Sequence, residues 1–189
     1  MKNREQIIEA AIRVISRYGV KRTTMNDVAE EANIVRQTLY NAYASKEDLL
    51  RATIRYGGEQ SLAAIKSECA EATSLSEKLD IVFEHSVVKP FEWIHASPEA
   101  ADIIDGFNDA ARDELATSYE HKRAELQTIL EPYGKQIEAA GLNVRDLSDY
   151  IQSAAKGAKG NAKDKDHLLK LLKSLKLTVL ALVEDGKSG

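Results

Sequence analysis

Cysteine is nearly absent: Cys69 stands alone in 189 residues. This excludes an internal disulfide and fits a reducing compartment. Within a helical run, Cys69 reads as a small semi-buried side chain rather than a nucleophile. There are only three prolines and ten glycines, and no stretch sustains the polar–apolar alternation of a strand, which excludes a sheet protein. No apolar run reaches the ~18 residues that a membrane span needs. The opening MKNREQII carries charge where a signal peptide would carry an apolar core, so a cytoplasmic protein is expected. Catalytic signatures are missing too: there is no G-x-S-x-G, no P-loop, no G-x-G-x-x-G behind a strand and no H-E-x-x-H. His85, His95, His121 and His167 are never three or four apart, so no helical metal pair is built in. An enzyme reading has no residue to stand on, and neither metal nor cofactor is expected.

What the chain does contain is long runs of Ala, Leu, Glu and Lys, the composition of an all-α protein. Arg4 to Tyr18 forms a first helix with an Ile8, Ala11, Ile12, Ile15 stripe, and Gly19 ends it. Thr24, with Asp27 three residues on, is a near capping box for a second helix. Val28, Ala29 and Ala32 give that helix one apolar stripe, and Leu39 and Tyr43 give the next helix another. Between them lies Asn33, a residue type that accepts the left-handed backbone of a sharp turn. This is the pattern of a helix-turn-helix. On the helix after the turn, Arg36, Gln37, Tyr40 and Asn41 share one side, while Val35, Leu39, Ala42 and Tyr43 are expected to face a core. Arg can pair with guanine, Gln and Asn with adenine, and a Tyr hydroxyl with phosphate. On an isolated helix such a face would be ordinary solvated surface; behind this turn it points to DNA.

The stretch resembles the DNA-binding domain of the tetracycline-repressor (TetR) family of bacterial regulators. Thr23-Thr24, Asp27-Val28-Ala29, Ala32, Thr38-Leu39-Tyr40, Tyr43, Ser45-Lys46-Glu47 and Leu49-Leu50 carry the likeness, over about the first quarter of the chain. Asn33 stands where the family has Gly, Val35 where it has a capping Ser or Thr, and Ala42 where it has a larger residue. The resemblance implies a three-helix head at residues 1–48, followed by a helical domain at 49–189 that binds an effector and dimerises, about nine helices in all. It adds Lys46, opposed to its own helix dipole, as a phosphate contact. The expected DNA-facing set is Thr24, Met25, Asn26, Arg36, Gln37, Thr38, Tyr40, Asn41 and Lys46.

Helix four runs from Lys46 to about Glu71 and, by the resemblance, acts as the lever between the two domains. Leu79, Val82, Phe83, Ser86 and Val87 line helix five, which Pro90 bends or ends. A short helix opens at Ser97-Pro98 and a long one spans roughly Asn108 to Leu130. In the family these helices enclose a small-molecule cavity, which makes Phe83, Val87, Phe91, Trp93, Phe107 and Tyr119 candidates for its lining. Aromatics and aliphatics on helices are more often plain core than ligand lining. His85, His95 and Tyr150 are candidate polar anchors. An eighth helix from Arg145 to about Lys156, a flexible basic linker GAKGNAKDK, and a ninth helix from His167 to Glu184 complete the chain. Their apolar stripe (Leu147, Tyr150, Ile151, Ala154, Leu168, Leu172, Leu175, Val179 and Leu182) is wider than a monomer surface needs. The resemblance implies that it pairs with a second copy in a four-helix bundle.

Charge is unevenly spread. Residues 1–55 hold ten Lys/Arg against seven Asp/Glu, net +3; residues 56–189 hold sixteen against twenty-three, net −7. The chain total of −4 therefore hides an N-terminal end attracted to DNA and a distal body repelled by it. The reading is a sequence-specific regulator, a repressor released from a palindromic operator by a small, largely apolar ligand, acting as a homodimer on double-stranded DNA and not at a membrane. The alternative is a helical protein that sequesters a ligand or partner without ligand control of an operator.

Overall fold

The computed structural model describes residues 2–99, 102–106 and 111–185, and every regular element among them is helical. Backbone packing forms two compact units, one of Met1–Gln60 with Trp93–Ser118 and one of Ser61–Glu92 with Tyr119–Gly189. The boundary expected at residue 48 follows the end of the head motif. The packing instead groups residues 49–60 and 93–118 with the N-terminal helices.

In the first unit α1 (Lys2–Arg22) is broken at Gly19, whose φ of 74° and ψ of 175° lie outside any helix. That region is open to glycine almost alone. A β-carbon at Gly19 would also collide with the Asp102 carboxylate, which accepts from the Lys21 backbone N–H at 2.8 Å. The Thr24–Asp27 capping box forms in full and starts α2 (Met25–Glu31). Asn33 then takes φ 52°, the left-handed turn its residue type allows, and α3 (Arg36–Ala42) follows with no side-chain cap from Val35. Leu39 and Tyr43 are buried with Ile7, Ile15, Val28 and Leu49 in one apolar cluster. Val35 is not: it is 70% exposed. Its backbone is extended (φ −74°, ψ 146°), so it stands before the first helical residue and the 100° register that would have turned it inward does not apply to it.

The second unit draws on the distal part of α4 (Lys46–Glu71) and on α5 (Leu75–Phe83), which has its own Ser74–Glu77 capping box. Pro90 does not end this helix. A π turn at Glu84–Val88 leads into α6 (Lys89–His95), and the Lys89 N–H reaches back to the Glu84 carbonyl. Pro90 has no N–H for the Ser86 carbonyl and its ring crowds that turn, and the wider π turn relieves both. A helical stretch at 102–106 precedes α7 (Arg112–Leu130). The sequence then passes through a 3₁₀ turn at Glu131–Tyr133 into α8 (Gly134–Ala139).

α9 (Val144–Asn161) extends into the segment expected to be a flexible linker, taking in GAKGN. Its two glycines cost about 1 kcal/mol each relative to alanine, but Ala154, Ala158 and Ala162 pack on the core beside them, and that packing outweighs propensity. Only Ala162 to Asp164 separate it from α10 (Lys165–Asp185), where the Asp164 carboxylate accepts from the His167 N–H at 2.7 Å. The wide stripe on these two helices also needs correcting. Leu147, Ile151, Leu168, Leu172, Leu175 and Val179 are buried within this chain's own core, and Ala154 and Leu182 pack against it. Periodicity identifies a face that must be covered, not what covers it; here α5 and α8 do so from within the unit. Of the nine residues expected at a dimer surface, Tyr150 alone is exposed (55%).

Candidate nucleic-acid interface

α3 is only seven residues long, too short to persist alone in water. Leu39 and Tyr43 root it in the core behind, which leaves Arg36, Gln37, Tyr40 and Asn41 exposed together on the other side. Two contacts one helical turn apart order that side. An Arg36 guanidinium N–H donates to the Tyr40 hydroxyl at 3.3 Å, and the guanidinium carbon lies 5.2 Å from the Tyr40 ring centroid. Gln37 Nε2 donates to Asn41 Oδ1 at 3.0 Å. The face thus presents a planar cation, two amides and a phenol, with no acidic residue in its first turn. These are groups that hydrogen-bond base edges and phosphates.

The remaining expected contacts divide. Asn26 is exposed and Thr38 half-buried. Thr24 is exposed, but its hydroxyl donates to Asp27 Oδ2 at 2.7 Å and accepts from the Asp27 N–H at 3.2 Å. Met25 is not at the surface: at 7% exposure it belongs to the core, because the capping box turns the first residue of α2 toward α1. Lys46 does not stand free. Its ammonium donates to the Lys21 carbonyl at 3.2 Å, closing the C-terminal turn of α1. Burial pushes its pKa down, opposed by Asp102 and Asp27. The cation that seemed to oppose its own helix dipole therefore serves another helix's carbonyl end. Arg4 places its guanidinium carbon 5.9 Å from the Tyr43 ring centroid.

The second unit contains a small cavity of about 30 Å³ bounded by α5, the π turn, α7 and α9. Phe83, Val87 and Tyr119 line it, together with Leu126 and Ile151. Phe91 does not: the π turn inserts an extra residue and rotates the helix beyond it, so Phe91 is buried elsewhere in the same core. Trp93 packs against the core of the first unit, and Phe107 lies outside the described residues. The His85 Nε2–H donates to a Glu68 carboxylate oxygen at 2.8 Å, and Tyr150 is exposed; neither lines the cavity. The polar groups that do line it are Ser86, Gln152 and the lysines Lys122, Lys156 and Lys159. Lys122 lies on α7 and Lys156 and Lys159 on α9, and only the packing of these two helices brings the three to one place. Among the described residues no three His, Cys, Asp or Glu side chains are grouped to hold a metal, and no helix is long and apolar enough to cross a membrane.

Residues 7–53, which hold the whole of α2, the Asn33 turn and α3, match the model for bacterial regulatory proteins, tetR family. Over these residues, about a quarter of its length, the chain is similar to that family. The chain is 32% identical over 115 residues to the HTH-type transcriptional regulator YfiR of Bacillus subtilis, a match covering 61% of this chain and 47% of that protein. The fatty acid metabolism regulator protein of Bacillus subtilis is 29% identical over 150 residues, 78% of this chain and 68% of that protein. The chain spans about half or less of the length of the first curated relatives it matches. Among solved structures, the fatty acid degradation regulator FadR of Bacillus halodurans superposes with a TM-score of 0.70 at 23% identity, covering 97% of this chain and 95% of that one. At that identity the likeness speaks for a shared tetR fold.

Proposed function

We propose that the protein is a sequence-specific DNA-binding transcriptional regulator: a repressor that leaves a palindromic operator when a small, largely apolar ligand binds in its second unit. The carrying observation is α3, whose exposed side gathers Arg36, Gln37, Tyr40 and Asn41 while Leu39 anchors it from behind. In this reading Arg36, Gln37 and Asn41 contact bases, while Thr24, Asn26, Thr38, Tyr40 and Lys46 adjoin the backbone. A palindrome calls for two copies. The apolar side chains left exposed on α9 and α10, Tyr150, Leu169 and Leu177, are the surface offered to the second. Effector binding is assigned to the cavity at Phe83, Val87 and Tyr119, whose lining is mostly apolar. The fatty-acid regulators among the similar proteins agree with such a guest.

Arg36→Ala tests the DNA face. Losing a guanidinium that reads a base is expected to cost about 1–3 kcal/mol on the cognate site and to relax preference at one base position. Binding to random DNA should change little. Titrations of both duplexes at one salt concentration measure this, and equal losses on the two would remove Arg36 from base recognition.

A further inference from the structure

The other lysines of the second unit that carry ion pairs have carboxylates to meet: Lys66 with Glu125 at 3.7 Å, Lys176 with Asp80 at 2.7 Å, and Lys165 with Glu92. The three at the cavity do not. Among the described residues no carboxylate pairs with Lys122, Lys156 or Lys159. Lys122 feels Lys159, and Lys159 feels Lys156, as like charges. Lys156 Nζ finds only the Tyr119 ring, 4.9 Å from its centroid. Lys122 and Lys159 are half-buried and Lys156 is exposed at the rim; half-buried ammonium groups with no counter-charge are costly, because desolvation and mutual repulsion add. A second orphan lies beside them. The Ser86 hydroxyl, in the π turn that lines the same cavity, is buried without a hydrogen-bond partner among the described residues. π turns recur at functional sites because they trade backbone regularity for a displaced side chain. Donors without acceptors, on three separate elements, face one apolar space.

We propose that this cavity receives an amphiphilic anion, its carboxylate or phosphate head held by Lys122, Lys156, Lys159 and the Ser86 hydroxyl and its apolar body against Phe83, Leu126 and Ile151. This rests on the reading of the second unit as an effector domain and names the class of effector. The head satisfies what the fold leaves unsatisfied, and the lining suits a body that water rejects. The space of about 30 Å³ within this partly open cavity holds one water-sized group. A chain-bearing ligand therefore enters by parting α7 from α9, so binding and movement of these helices are one event.

Four probes at sub-micellar concentration separate the parts of this proposal: decanoate, decyl phosphate, decanol and inorganic phosphate, each titrated calorimetrically into the full chain. Decanoate and decyl phosphate are expected to bind at least about tenfold (about 1.4 kcal/mol) more tightly than decanol, since hydrogen bonds to a charged group are the stronger ones. Whichever acid binds more tightly identifies the headgroup. Lys122→Gln combined with Lys159→Gln should erase the preference and leave decanol unchanged. Decanol binding as well as decanoate would overturn the anion assignment while leaving an apolar effector site intact. Inorganic phosphate matching decyl phosphate would overturn the amphiphile. Failure of all four to bind would overturn the effector-site reading and this proposal with it.

Discussion

Leu39→Ala is expected to lower the unfolding free energy of the N-terminal unit by about 2–5 kcal/mol, the usual cost of emptying a fully buried leucine position. Leu39 is 0% exposed, in a cluster with Ile7, Ile15, Val28 and Leu49. Its surroundings come from three other helices and have little room to collapse. The consequence for function is wider than the stability loss, because α3 has seven residues and depends on this anchor for its helicity. All DNA sequences should be bound more weakly, in contrast to the base-selective loss at Arg36. Urea unfolding followed by circular dichroism measures the first effect; a change below about 1 kcal/mol would mean the site is not the close-packed core described.

Lys122→Met is expected to do the reverse and stabilise the second unit. Burial, followed by repulsion from Lys159, brings the Lys122 pKa from 10.5 down to about 8. The folded state thus disfavours the charged form. Below pH 8 both folded and unfolded chains carry the charge, and the full penalty is present. Between pH 8 and 10.5 the folded chain sheds the proton first, so wild-type stability rises with pH through that window. The methionine variant has no such rise. Its advantage, about 1–3 kcal/mol at neutral pH after allowance for partial solvation, should shrink as pH passes 8. Thermal unfolding of both proteins between pH 7 and 10 checks sign and window together. An unchanged melting temperature at pH 7 would mean that Lys122 is not desolvated. The same substitution removes part of the proposed anion site, a trade of function for stability.

Features governed by near neighbours were legible in the amino-acid sequence. The Thr24–Asp27 box, the left-handed Asn33 and the separation of Arg36, Gln37, Tyr40 and Asn41 from Leu39 and Tyr43 each depend on residues within a turn or two. Features governed by distant contacts were not. Met25 looked exposed until α1 was placed beside it, and Lys46 looked directed at solvent until the Lys21 carbonyl came within reach. The GAKGN segment has weak helix propensity, and its helix is held by packing of neighbouring alanines. The stripe on α9 and α10 shows the limit of periodicity most plainly: the amphipathic face was real, yet it faces this chain's own core. Lys122 and Lys159 lie far apart in the sequence, and neither belongs to a motif, so their shared cavity is visible only in three dimensions.

Selection of bound duplexes from a randomised DNA pool tests the central claim most directly. The account predicts enrichment of a dyad-symmetric site whose half-sites lie about 34–36 Å apart, one helical turn, or a multiple of that spacing, with two chains on each site. Recovery of unenriched sequence, or of a single asymmetric half-site occupied by one chain, would contradict it.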